Sequence, residues 1–156
     1  MPVSLSDLVA PNAIIPALKV NNKKQAIQEL AARAAGLTGQ NEKTILEILL
    51  QREKLGSTAV GNGVAIPHGK LPKLGHLFGL FARLERGIDF EALDGQPIDL
   101  CFLLLAPEAA GADHLKALAR VARLLRDPEV ARRLRESRDA NAIYSVLAMP
   151  PASSAA

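Results

Sequence analysis

At 156 residues, with 49% hydrophobic and 22% charged residues, the chain has the composition of one globular domain with a real core, not of a disordered or fibrous protein. A single cysteine excludes an internal disulfide framework, and no apolar run approaches the roughly 20 residues needed to span a bilayer. The net charge of +3 is too mild to define a partner by itself.

Residues 4–12 read as a capped turn or short helix. Ala13–Leu18 reads as a short strand, and Pro16 within it argues for a sheet edge. Asn22 with Gln25 three residues on has the form of a capping box. Ile27, Leu30, Ala31 and Ala34 follow at helical spacing, with Gly36 as the expected stop. Asn41 is the expected cap of a second helix, whose apolar face is Ile45, Ile48 and Leu49 and which ends near Lys54. Arg52 falls in its last turn, where the helix dipole alone would favour a cation. Val64–Ile66 predicts a short strand whose pairing stops at Pro67, leaving the His68 imidazole displayed at its end.

Gly75–Leu84 reads as a strand, with turns at Gly87–Asp89 and Leu93–Pro97. Ile98–Leu105 carries few polar side chains and reads as a central strand covered on both faces, with Cys101 buried in it. Asp113 is the expected cap of a helix bearing Leu115, Leu118, Ala122 and Leu125, with His114 in its first turn. Asp127-Pro128-Glu129 opens the next helix with proline at the first helical position. A last helix holds Ile143, Val146 and Leu147. Residues 150–156 have no periodicity and are expected to be a disordered tail. From Lys116 to Arg138 there are eight basic residues against three acids, which reads first as the solvated face of amphipathic helices and next as a protein docking face, with no specific nucleic-acid binding expected.

The chemistry concentrates around His68. A histidine held between Pro67 and Gly69, beside the backbone N–H groups of a glycine-containing turn, suits a nucleophile for a phosphoryl group. At an ordinary pKa of about 6.5, roughly three quarters of such an imidazole is neutral at pH 7, so no separate base is required. Other chemistries fit poorly. Three histidines and one cysteine, widely spaced, form no zinc pattern, and there is neither a nucleotide-binding P-loop nor a nucleophile elbow around Ser57.

The pattern Arg-Glu-x-x-x-Ser-Thr-x-x-Gly-x-Gly-x-Ala-Ile-Pro-His-Gly, from Arg52 to Gly69, resembles the active-site signature of the type-2 IIA components of the bacterial phosphoenolpyruvate-dependent phosphotransferase system. The resemblance extends over roughly residues 5–148, with the domain taken as 1–149. The element order read above, strand, two helices, three or more strands, three helices, argues for a mixed sheet covered by helices on both faces, and the resemblance implies an α/β fold, a three-layer α/β/α sandwich with a small mixed sheet. The resemblance also implies that His68 is the acceptor, phosphorylated at its tele nitrogen. His114, in Asp113-His114-Leu115-x-x-Leu118, matches the family's second active-site histidine, and Arg52 matches its phosphate-pairing arginine. Glu53, Ser57, Asn62 and Gly63 are expected to support the loop, and His76 matches no motif. The implied donor is a histidine phosphocarrier protein, with no cofactor, no metal, no membrane insertion and a cytoplasmic location.

His68-Gly-Lys-Leu71 and the stretch Gly87–Leu100 look most like the nitrogen-regulatory type, which controls target proteins through its phosphorylation state. Two alternatives stay open: a sugar-specific fructose or mannitol component, and a non-reacting binding module that uses its basic C-terminal helices.

Overall fold

The computed structural model describes residues 4–150. In chain order the elements are β1 (Val9–Leu18), α1 (Lys23–Thr38), α2 (Glu42–Lys54), β2 (Ala59–Gly61), β3 (Val64–Ala65), β4 (His68–Leu71), β5 (Phe78–Ile88), β6 (Ile98–Pro107), α3 (Ala112–Arg126), α4 (Pro128–Glu136) and α5 (Ala140–Ala148). The sheet runs β1-β5-β6-β3-β2, with β4 also paired to β6. It is mixed: β1 lies parallel to β5, β5 antiparallel to β6, and β3 and β4 parallel to β6.

Leu80–Leu84 and Leu100–Ala106 are buried at every position. Successive strand side chains point to opposite faces, so both faces of the two central strands must be covered. α1 and α2 pack on one another and on β5 and β4; α3, α4 and α5 pack in series and reach β6, β2 and β1. This is the helix-covered mixed sheet expected from the element order. Cys101 sits fully buried at the middle of β6, as a free thiol.

The helix starts follow the expected chemistry. Asn22 accepts from the Gln25 amide at 2.9 Å, and Asn41 accepts from the Thr44 amide at 2.9 Å. Gln25 returns to the amide of Asn21 and not to that of Asn22, so the reciprocal cap closes one residue early. Asp127 accepts from the Glu129 amide at 2.9 Å with Pro128 at the first helical position.

Five expectations on boundaries differ. β5 spans Phe78–Ile88 and not Gly75–Leu84, so Gly87 and Ile88 of the expected Gly87–Asp89 turn are still in the strand. β1 begins at Val9, so the strand passes through Pro11 as well as Pro16; it tolerates both because β1 is an edge strand. α1 runs past Gly36 and ends at Gly39, whose φ of +75° supplies the left-handed cap. The cap of α3 is Gly111, with Asp113 in the first turn and making no capping bond. The largest difference falls at Pro67. Val64 faces Leu100 and His68 faces Leu104, so the register along β6 is unbroken across the proline. Pro67 lacks an N–H, but its carbonyl still accepts from the Leu104 amide at 2.9 Å. His68 therefore opens a paired strand and does not hang beyond the end of one.

Apart from Pro150, the expected disordered tail lies outside the described residues. Among the described residues no helix is long and apolar enough to cross a membrane.

Candidate phosphoryl-transfer site

The end of α2 turns sharply. Leu55 and Gly56 donate their amides back to the carbonyls of Arg52 and Glu53. Arg52 folds over this turn, with Nη1 donating to the Gly56 carbonyl at 2.9 Å. Its Nε–H then points at His68 and lies 3.2 Å from Nε2 of the ring.

The other ring nitrogen decides the chemistry. His68 Nδ1 lies 2.8 Å from the carbonyl oxygen of Ile66. A carbonyl only accepts, so Nδ1 carries the hydrogen and Nε2 carries the lone pair, which meets the Arg52 donor. The ring is held in one tautomer with its nucleophilic nitrogen facing a cation. Its pKa lies below the ordinary value, chiefly through burial and further through the Arg52 charge, while the Ile66 carbonyl and the Glu53 charge oppose the shift. The neutral, nucleophilic form is thereby favoured.

His114 comes from the first turn of α3. Its ring centroid is 5.6 Å from that of His68, at an interplanar angle of 64°. The residue is only 7% exposed, and its Nε2 has no hydrogen-bond partner. Burial first, then the positive fields of His68 and Lys70, hold its pKa below the ordinary value. A buried polar atom left without a partner costs about 1–3 kcal/mol. The three residues singled out in the sequence thus converge on one locus, while His76 is exposed.

A second layer holds this locus. The Glu53 side chain is 5% exposed and accepts from the Thr58 amide at 3.1 Å, from the Thr58 hydroxyl, and from Lys23 Nζ at 2.9 Å. Ser57 Oγ donates to the Phe90 carbonyl at 2.6 Å, tying the same loop to the segment after β5. Asn62 does not belong to this layer: at φ +57° it forms the β2–β3 tip, towards the opposite end of β6 from His68, where the Asp94 carboxylate accepts from its amide at 3.1 Å and Arg135 donates to its carbonyl at 2.7 Å. Sequence reading found Glu53 and Ser57 as supports but passed over Lys23 and Thr58, while Asn62 and Gly63, also expected as supports, lie against Asp94, Asp99 and Arg135. Lys23 did leave a signal: a lysine in the first turn of a helix opposes the helix dipole, which is tolerable when a carboxylate neutralises it.

Arg52, His68 and His114 thus form a largely half-buried cation–imidazole locus on a helix-covered mixed sheet. Residues 7–149 match the family described as Phosphoenolpyruvate-dependent sugar phosphotransferase system, EIIA 2, and the chain belongs to that family. Within it the chain is most like the nitrogen regulatory proteins. It is 76% identical over 151 residues to the nitrogen regulatory protein of Bradyrhizobium diazoefficiens, across 97% of this chain and 99% of that one. The crystal structure of the nitrogen regulatory protein IIA-Ntr from Neisseria meningitidis superposes with a TM-score of 0.86 at 31% identity, covering 92% of this chain and 98% of that one. The IIA mannitol structure from Escherichia coli shares the fold, with a TM-score of 0.76 at 22% identity over 89% of this chain and 98% of that one.

Proposed function

We propose that this chain is a phosphorelay protein. In this reading, His68 accepts a phosphoryl group at Nε2 from a histidine phosphocarrier protein, and the phosphorylation state then regulates partner proteins. The domain of residues 1–149 carries this role in the cytoplasm. The observation that supports it most is the pairing of a tautomer-locked His68 Nε2 with the Arg52 guanidinium and the unpartnered Nε2 of His114.

The step balances without a separate acid or base. The Nε2 lone pair attacks phosphorus, and the P–N bond of the donor phosphohistidine breaks. The departing electron pair returns to the donor ring, which leaves as neutral imidazole when its other nitrogen carries a proton. His68 keeps its own proton on Nδ1, so the phosphorylated ring is imidazolium-like, and the Ile66 carbonyl stabilises that charge. Arg52 must release Nε2 as the new bond forms, and its guanidinium is then free to pair with the equatorial oxygens. His114, donating from Nε2, would take a third oxygen. Donor and product are both phosphohistidines, so the transfer runs in either direction.

Regulation follows from charge. Arg52, Lys54, Lys70 and Lys73 lie around His68 in sequence, and Leu55 and Leu115 are 84% and 68% exposed beside the site. A phosphoryl group adds about −1.5 to −2 charges at pH 7 to that rim. A partner bound there through acidic groups would lose attraction.

The test is incubation with phosphoenolpyruvate, the first enzyme of the relay and the carrier, followed by intact-mass measurement. One phosphoryl group is expected, labile in acid and stable in base, and absent from His68→Ala. Full labelling of that variant, or a label mapped to His114, overturns the assignment.

A further inference from the structure

Glu53 is a carboxylate in the interior. Burying a carboxylate costs several kcal/mol unless its oxygens are fully partnered. Its partners are Lys23 and Thr58, the second on the loop between α2 and β2. Lys23 at the start of α1 supplies the counter-charge at 2.9 Å, and that ammonium also lies 4.9 Å from the centre of the Phe90 ring. Thr58 supplies both its amide and its hydroxyl to the two carboxylate oxygens.

From Thr58 the connection runs straight to the histidine. The Thr58 carbonyl accepts from the Ile66 amide at 3.0 Å, and the Ile66 carbonyl accepts from His68 Nδ1 at 2.8 Å. Glu53 is also the residue after Arg52, and its own carbonyl accepts from Gly56, whose carbonyl in turn holds the Arg52 guanidinium. One carboxylate is therefore joined to both halves of the pair: to the acceptor ring through Thr58 and Ile66, and to the cation through the turn after α2. An isolated imidazole interconverts between its two tautomers, and the partner of one nitrogen sets which of them the other can use.

We propose that Glu53, neutralised by Lys23, is a positioning residue for phosphoryl transfer: it fixes Thr58 and Ile66 so that His68 keeps its hydrogen on Nδ1 and presents a bare Nε2 to the donor. The role rests on the reading of His68 as the acceptor. It assigns Glu53 no contact with the phosphoryl group.

The experiment uses the full chain, labelled with ¹⁵N, in wild-type form and as Glu53→Gln, Thr58→Val and Thr58→Ser. Imidazole nitrogen shifts report the tautomer, the reconstituted relay reports the transfer rate, and circular dichroism reports the fold. In the wild type His68 should show a protonated Nδ1 and an unprotonated Nε2. Glu53→Gln keeps the size of the side chain but loses the charge and one acceptor. Its two His68 nitrogens should shift towards each other, as in a tautomer mixture, and transfer should slow on the order of 10- to 100-fold, the range typical of outer-shell partners. Thr58→Val should show the same changes in smaller measure, and Thr58→Ser, which restores the hydroxyl, should return both readouts to the wild-type values.

A folded Glu53→Gln protein with wild-type nitrogen shifts and a wild-type rate overturns the proposal, even if it has become less stable. If Glu53→Gln does not fold, Thr58→Val decides by the same two readouts. Failure of the wild type to label at His68 sinks the acceptor reading, yet the tautomer measurement on the unphosphorylated protein still decides whether Glu53 positions the ring.

Discussion

Gly69 offers a sharp test of how tightly the site is assembled. It follows His68 in β4, and a Cβ built on it would lie 2.5 Å from Ile48 Cγ2, with Ile48 Cβ next at 3.8 Å and Leu49 Cδ2 at 4.0 Å. Ile48 is β-branched and sits within α2, where essentially one χ1 rotamer is open to it. The methyl cannot swing away, so α2 or β4 must move. Overpacking of this kind costs about 1–3 kcal/mol, and the stiffer unfolded chain of an alanine variant returns about 0.4–1 kcal/mol of it. A net loss of about 1–2 kcal/mol is expected for Gly69→Ala, or roughly 3–8 °C in Tm for a domain of this size. The functional cost should be larger in proportion. Arg52 lies one helical turn beyond Ile48, so displacing α2 moves the guanidinium off His68, and misplacement by about 1 Å can cost on the order of 10²-fold in rate. Ile48→Leu removes the offending branch methyl. Urea unfolding and relay kinetics on both single variants and the double variant check the reasoning. The double variant should recover at least about 1 kcal/mol relative to the sum of the singles. A Gly69→Ala protein within about 0.5 kcal/mol of the wild type, or strict additivity in the double variant, would refute the steric argument.

Arg52→Ala and His114→Ala should each fold normally and slow transfer to His68 by about 10²–10³, the usual cost of removing one donor to developing charge; rapid-quench kinetics on folded variants with wild-type rates would remove either residue from the site. The pH dependence of stability carries a definite sign. His68 and His114 both titrate below the ordinary imidazole value when folded, so in the acid range just under about pH 6.5 the unfolded chain binds more protons. Their contribution is complete above that pH and is lost as pH falls through the two folded values. Thermal melts between pH 8 and pH 5 should therefore show a steeper acid loss for the wild type than for a His68→Gln/His114→Gln double variant, and parallel curves would contradict the burial argument.

Much of this arrangement was legible in the residues because local chemistry decided it. Asn22, Asn41 and the Asp127-Pro128 pair cap helices through bonds to amides two or three positions away, and no tertiary context is needed to see them. The apolar run Leu100–Leu105 of β6 announced a strand covered on both faces. The misreadings came where tertiary pairing overrode a local signal. Gly36 in a helix costs only about 1 kcal/mol against alanine, which the packing of Ala31 and Ala34 outweighs, so α1 runs on to a glycine with positive φ. Pro67 removes one donor, but the carbonyls and amides on either side keep their partners on β6, and a chain read one residue at a time cannot show that the register survives. At the site, the motif gave residue types near one another in sequence. It could not give the Ile66 carbonyl that sets the tautomer or the Lys23 ammonium that comes from another helix, since both depend on the fold closing.

Cys101 gives this protein an internal clock. Its thiol is pushed up to about 12, first by burial and then by the negative charges of Asp99 and Glu53. At neutral pH almost no thiolate exists, and the sulfur has no exposed surface through which an alkylating reagent could approach. Modification must wait for β6 to separate from its neighbours on both sides, which amounts to opening the whole molecule. The rate of alkylation in native buffer therefore counts global unfolding events directly, with no engineered label, and the folded chain should keep its thiol on prolonged exposure to air.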